Sequence, residues 1–265
     1  MMEQLAKAWQ DVLNKRGFEY GLPSDVSTHG FAIDNLITTL HYFMALLFVG
    51  WGIYLVYCLV RFREREGHTA DVAPQHFSLP KYLEIGVVIF EACLLVFFSY
   101  PVWAKLKTDF PDRETSLVVR ITAEQFAWNI HYPGKDGKFG KTNIDLIDGT
   151  NPVGLDREDP NGKDDIVSIN QFNVPVGKPV IVELGAKDVI HGFFLPNARV
   201  KHDAIPGMVF PLWFETKETG KFEIACAQLC GVGHYRMKGY FNVLTQEEYD
   251  NWILEEEEAL KEEGA

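Results

Sequence analysis

The chain has 265 residues, a net charge of -12 and four cysteines, and 47% of it is hydrophobic. The length allows one or two domains. The acidic balance excludes a basic nucleic-acid-binding surface, and so few cysteines exclude a disulfide scaffold. Residues 1–34 form an N-terminal arm without the apolar core of a signal peptide. Leu5, Trp9, Val12 and Leu13 recur there at helical spacing, which predicts a short amphipathic helix lying at a membrane or on a partner. From Asn35 to Val60 a run carries no charge, and it exceeds the ~20 residues that cross a ~30 Å hydrocarbon layer. A second run over 82–104 is bracketed by Lys81 and Lys105 and is apolar apart from Glu84 and Glu91. Together these predict a transmembrane hairpin over 35–105, and Arg61, Arg63 and Arg65 place its connecting loop on the cytoplasmic side. Cys58 and Cys93 fall inside the spans as packing residues.

Past residue 105 the pattern changes to short strands, with an all-β domain expected over 112–245. Candidate strands are 117–122, 125–131, 166–173, 180–184, 189–195, 209–215, 221–225 and 239–244. Turn formers such as Pro133-Gly134, Asp136-Gly137, Pro175-Val176-Gly177 and Pro206-Gly207 separate them. This spacing predicts an antiparallel sandwich. Between Asp145 and Asp165 seven acids face only Arg157 and Lys163, either a solvated loop or a surface that steers a basic partner. Residues 246–265 form an acidic tail, and Thr245-Gln246-Glu247-Glu248 is a capping box that starts a short C-terminal helix.

The densest chemistry lies in Cys226-Ala-Gln-Leu-Cys230-Gly-Val-Gly-His234-Tyr-Arg-Met237. Two thiols, an imidazole and a thioether within one loop form a soft donor set that suits copper. Structural zinc takes Cys and His but has little use for a thioether. A disulfide or redox pair is the third reading of the two cysteines. Copper needs a further imidazole, and His191, in the apolar stretch Val189–Pro196, supplies it. No Cys-x-x-Cys-His occurs, so no c-type haem is attached to this chain.

These residues resemble the CuA site of cytochrome c oxidase subunit II, whose motif runs Cys-x-Glu/Gln-x-Cys-Gly-x-x-His-x-x-Met. The segment Asp203-Ala204-Ile205-Pro206-Gly207 matches as well. The resemblance implies a two-helix transmembrane hairpin followed by a cupredoxin-like Greek-key sandwich. It implies a dinuclear copper centre in which Cys226 and Cys230 bridge both ions, His191 and His234 bind one each, and Met237 and the Gln228 carbonyl are weak axial ligands. The family commonly has Glu where this chain has Gln228, and that Glu helps hold magnesium at the contact with subunit I, so magnesium is not expected of this residue. Phe126 stands where the family has the Trp at which cytochrome c delivers its electron, and Trp128 is retained. Phe126 therefore points to a different donor or docking mode, such as a membrane-bound or complex-attached cytochrome c domain.

Glu84 matches a family Glu at the mouth of a proton path, and Glu91 lies two helical turns further on. The implied partners are subunit I with its haems and copper, other oxidase subunits, cytochrome c or a bound cytochrome c domain, and the lipid bilayer. The implied setting is a bacterial plasma membrane with the copper domain on the outer face. Two readings stand beside this one: the CuA subunit of a nitric oxide reductase, and a membrane-anchored copper-delivery protein. A quinol-oxidase subunit, which shares the architecture, lacks the copper ligands present here.

Overall fold

A computed structural model describes residues 18–19, 21–67, 69 and 78–263. The amphipathic helix expected around Leu5–Leu13 lies outside them. The chain divides into two units, a hairpin over 32–108 and a β-domain built from the residues up to Phe31 and from Asp109 onward.

In the hairpin, helix α1 spans Gly30–Arg61 and helix α2 spans Leu79–Thr108. At ~1.5 Å per residue both exceed the hydrocarbon thickness. Both extend past the apolar runs that predicted them. Ahead of α1, Ser27 Oγ accepts from the N–H of Gly30, the first helical residue, at 3.0 Å, which satisfies one of the backbone donors left open at a helix start. Phe43 of α1 and Phe90 of α2 meet with ring centroids 4.5 Å apart. In α2 the turn Leu95–Ser99 is π-helical, and the Tyr100 N–H donates to the Leu95 carbonyl. Pro101 follows directly and has no N–H to give, so widening the preceding turn relieves its ring against the backbone. Among the described residues much of the surface of both helices is apolar and exposed, with Leu46, Phe48, Trp51, Ile53, Val88 and Phe97 all more than half exposed. Such a surface is tolerated in lipid or against partner helices and not in water.

The β-domain is a two-sheet sandwich of ten strands: β1 Leu117–Glu124, β2 Ala127–Tyr132, β3 Ile166–Ile169, β4 Gln171–Pro175, β5 Pro179–Ala186, β6 His191–Leu195, β7 Val200–Ala204, β8 Phe210–Glu215, β9 Gly220–Cys226 and β10 Lys238–Leu244. One sheet runs β8-β5-β1-β2-β3 and the other β4-β10-β9-β6-β7. The expectation of a purely antiparallel sandwich is corrected: β1 pairs with β5 in parallel, as does β10 with β4. Both parallel pairs arise because the chain crosses between sheets, so sequence neighbours separate and distant strands adjoin. The core between the sheets holds Ile121, Trp128, Ile130, Phe172, Val182, Leu184, Phe193, Phe214 and Phe241.

The stretch 166–173, read as one strand, is two. Asn170 takes a left-handed backbone (φ 59°) and turns the chain from one sheet into the other. Its N–H donates to the Trp128 carbonyl, its Oδ1 accepts from the Trp128 N–H, and its carbonyl accepts from Tyr240. Strand β7 had no sequence expectation, because Lys201, His202 and Asp203 suppress the apolar alternation. It is an edge strand, where charged residues belong.

Residues 23–30, assigned above to the arm, are fastened to the β-domain. Val26 is buried, donates its N–H to the Asn197 carbonyl and accepts from the Lys217 N–H, both at 2.8 Å. Lys217 also pairs with Asp25 at 2.9 Å. Helix α3, Gln246–Glu263, starts at the expected capping box, with Glu248 N–H donating to Thr245 Oγ1 and Thr245 N–H to Glu248 Oε2. It lays Trp252 edge-on against Tyr132, centroids 5.0 Å apart.

Asn170→Ala removes one hydrogen bond and places a Cβ-bearing residue without a local partner in the left-handed region. A loss of about 2 kcal/mol is expected in denaturant unfolding. Asn170→Gly restores the backbone freedom and recovers about half of it.

Candidate metal centre

The ligand-bearing strands are neighbours. β9 pairs with β6 through Cys226↔Phe193 and with β10 through Ala225↔Lys238, so His191 at the start of β6, Cys226 at the end of β9 and Met237 just before β10 emerge at one end of the sheet. The Cys226 N–H donates to the Met237 carbonyl at 3.3 Å and closes the loop between them. The loop is also drawn onto β6, where the Ala227 N–H donates to the Gly192 carbonyl at 2.8 Å. A Cβ at Gly192 would lie 2.8 Å from the Ala227 carbonyl carbon, which is why the residue beside His191 has no side chain.

Within this frame the donors form one connected cluster. The ligand atoms of His191, Cys226 and Cys230 lie within 4.8 Å of one another. His191 Nδ1 is 3.2 Å from Met237 Sδ. Cys230 Sγ is 3.7 Å from Cys226 Sγ, from Met237 Sδ and from His234 Nδ1. The Cys226 thiol points at the Gln228 carbonyl oxygen, 3.2 Å away. All six residues named from the sequence are therefore brought together. The two sulfurs are free and stand well beyond the ~2.0 Å of a disulfide. His191, Cys230 and Met237 are buried, and Cys226 and His234 are partly so.

The donor set fits a soft metal on its own chemistry: two thiols, two imidazole nitrogens, a thioether and a backbone carbonyl. Burial, with the neighbouring Cys226 thiol, pushes Cys230 up to about 11. Loading a metal must therefore displace a proton.

Two residues that sequence reasoning missed surround the cluster. Asp188 Oδ1 lies 2.8 Å from His191 Nε2. That contact fixes the proton on Nε2 and turns the lone pair of Nδ1 towards the sulfurs, the usual device for orienting a ligating imidazole. Burial raises the Asp188 carboxyl, but hydrogen bonds from His191, Gln125 and Val189 outweigh it and hold the group below its ordinary range. The Asp-x-x-His spacing is the one sequence trace of this role. Gln125 is the second, and its amide donates to the Cys230 carbonyl.

Trp128 is fully buried, its ring edge-on to His191 and Phe193. Phe126 is half-buried and lies over the loop, where a Cβ at Gly233 would meet its ring at 2.4 Å. Leu229, Val232 and Tyr235 on the same loop are 78%, 93% and 85% exposed. Glu84 and Glu91 lie in the other unit, both exposed on α2.

Residues 117–243 match the family model described as cytochrome C oxidase subunit II, periplasmic domain. The alternative cytochrome c oxidase subunit 2 of Bradyrhizobium diazoefficiens is 34% identical, over 86% of this chain and 81% of that one. The chain belongs to the cytochrome c oxidase subunit II family. The cytochrome c oxidase subunit 2 of Cereibacter sphaeroides is 29% identical over 87% of this chain and 77% of its own. The solved periplasmic domain of subunit II from Bradyrhizobium japonicum is 31% identical, covering 57% of this chain and 98% of that one, with a TM-score of 0.42. As a subunit II the chain is a membrane-anchored part of an oxidase that contains further subunits, and it carries a candidate copper site.

The contact between Phe126 and Gly233 is open to a direct test. Gly233→Ala forces the ring or the loop to move and should destabilise the β-domain by about 1–3 kcal/mol in denaturant unfolding. Adding Phe126→Leu to Gly233→Ala should recover part of that loss.

Proposed function

We propose that this chain holds a dinuclear copper centre, CuA, and accepts electrons singly from a cytochrome c or a bound cytochrome c domain. It passes them to haem in subunit I, where oxygen is reduced to water. The observation that carries the reading is the six-donor cluster with two unbridged sulfurs 3.7 Å apart. Two thiolates side by side can be shared between two metal ions, which a single-thiol copper site cannot do. Cys226, Cys230, His191 and His234 would hold the copper, with Met237 and the Gln228 carbonyl as further donors. When bound, the copper pair supplies one-electron redox chemistry.

The residues of the chain contribute rigidity. His191 is locked by Asp188, and the loop is closed at both ends by sheet. The protein then reorganises little when the charge of the centre changes, which favours fast electron transfer. Burial of His191, Cys230 and Met237 hinders exchange of the metal and speaks against a copper-delivery role. Curated relatives named as oxidases favour oxygen over nitric oxide as the final acceptor.

The exposed Leu229, Val232 and Tyr235 form an apolar surface beside the centre, suited to burial against a partner subunit. Phe126, half-buried over the ligand loop, is the aromatic group assigned to the arriving electron, with Trp128 behind it towards His191. Magnesium ligation by the uncharged Gln228 side chain is not part of the proposal. The bacterial relatives and the arginines after α1 support a bacterial plasma membrane with the β-domain outside. Glu84, on α2, is assigned to proton uptake for the partner subunit. A carboxyl within a span costs about 2.5–3.5 kcal/mol unless covered by protein or water.

Full-length chain in detergent, reconstituted with copper, should hold two ions sharing one unpaired electron, seen as a seven-line EPR hyperfine pattern. One copper with four lines, or a preference for zinc, would overturn the reading. In the assembled oxidase, Glu84→Gln should slow turnover and proton uptake while copper content and the EPR spectrum stay as in wild type. Unchanged turnover would remove Glu84 from that role.

A further inference from the structure

Gln125 is not one of the six donors, yet it bonds both to Asp188, which holds His191, and to the backbone of Cys230. Its backbone N–H donates to Asp188 Oδ2 at 2.8 Å. The other oxygen of that carboxylate accepts from the Val189 N–H at 2.7 Å and lies 2.8 Å from His191 Nε2. The side-chain amide of Gln125 donates to the carbonyl oxygen of Cys230. One chain of contacts therefore runs from His191 through Asp188 and Gln125 to Cys230. It joins the ligand on β6 to the ligand on the loop through a residue on the β1–β2 turn, 63 positions from Asp188 and 105 from Cys230.

The fit at the loop is close. A Cβ at Gly231 would stand 2.6 Å from Gln125 Nε2 and 3.3 Å from Phe126 Cζ. Between Cys230 and His234 the loop has no strand partner, because β9 and β10 pair only as far as Ala225 and Lys238. Gln125 and Phe126 grip it where sheet pairing stops. The acceptor is a carbonyl, so a donor is required, and the Gln125 amide supplies one without bringing a charge to the site. A Glu of the same size would set negative oxygens against it. An exposed turn needs no such specificity for folding alone.

We propose that Gln125 is a positioning residue for the metal centre, fixing the His191 ring through Asp188 and the ligand loop through the Cys230 carbonyl. The assignment rests on the copper reading given above. Outer contacts of this kind orient ligands, and their removal typically weakens metal binding 10–100-fold.

The test uses the full-length chain in detergent, copper-loaded, comparing wild type with Gln125→Ala, Gln125→Glu and Lys187→Met. Lys187 pairs with Glu124 beside this network without entering it. Three quantities are read: the rate of copper loss to a competing chelator, the EPR hyperfine pattern, and amide hydrogen exchange at 230–234 in the metal-free chain. Both Gln125 variants should lose copper at least about tenfold faster, with altered hyperfine splitting and faster exchange in the loop. Thermal unfolding and Lys187→Met should match wild type. Wild-type copper release and spectrum in the Gln125 variants would overturn the positioning role and leave the copper reading standing. Wild type that binds no copper pair would overturn the copper reading, and the positioning role with it. If Gln125→Ala does not fold, the isosteric Gln125→Glu decides.

Discussion

The arrangement of this subunit depends on β9 lying between β6 and β10. Pairing of Cys226 with Phe193 on one side and of Ala225 with Lys238 on the other brings three separate chain positions to one end of a sheet. His191, Cys226 and Met237 then need only their own side-chain lengths to converge. A shift of register by one residue in either pair would turn these side chains to the opposite face. The aromatic core beneath, where Phe172 packs against Phe193, Phe214 and Phe241, is what makes such a shift costly. Burial in the sandwich thus determines the geometry of a site that itself contributes few buried apolar atoms.

The site is layered. Donor atoms face one another at 3.2–3.7 Å. Around them Asp188 and Gln125 constrain the imidazole and the loop, and Phe126 presses on the backbone from outside. Each layer limits the freedom of the one within, so the donors hold their separation before any metal arrives.

Much of this was legible in the sequence. Apolar runs of membrane length pointed to the hairpin, and four donors in one short loop pointed to the candidate metal site, because these are local properties. What was not legible depends on distant approach. Asp188 and Gln125 are ordinary polar residues until the β1–β2 turn and the β5–β6 turn meet beside the loop. Strand β7 was hidden by the charge and polarity suited to a sheet edge. The break at Asn170 was hidden because it is one of several polar residues in the stretch 166–173, and its identity alone does not reveal a left-handed backbone. Parallel pairing of β1 with β5 follows from the crossing of the chain between sheets, which period-two alternation does not encode.

The attachment of residues 23–30 to the β-domain bears on the order of synthesis. Asp25 is made 192 residues before its partner Lys217, and Val26 lacks its backbone partners until the turn between β6 and β7 and the residues after β8 exist. The segment therefore cannot make these native contacts until both helices and most of the sandwich have been synthesised. Contacts of such long sequence separation form late and slowly. The β-domain is then completed by a segment made before either helix, so its last native contacts close across the whole hairpin in sequence.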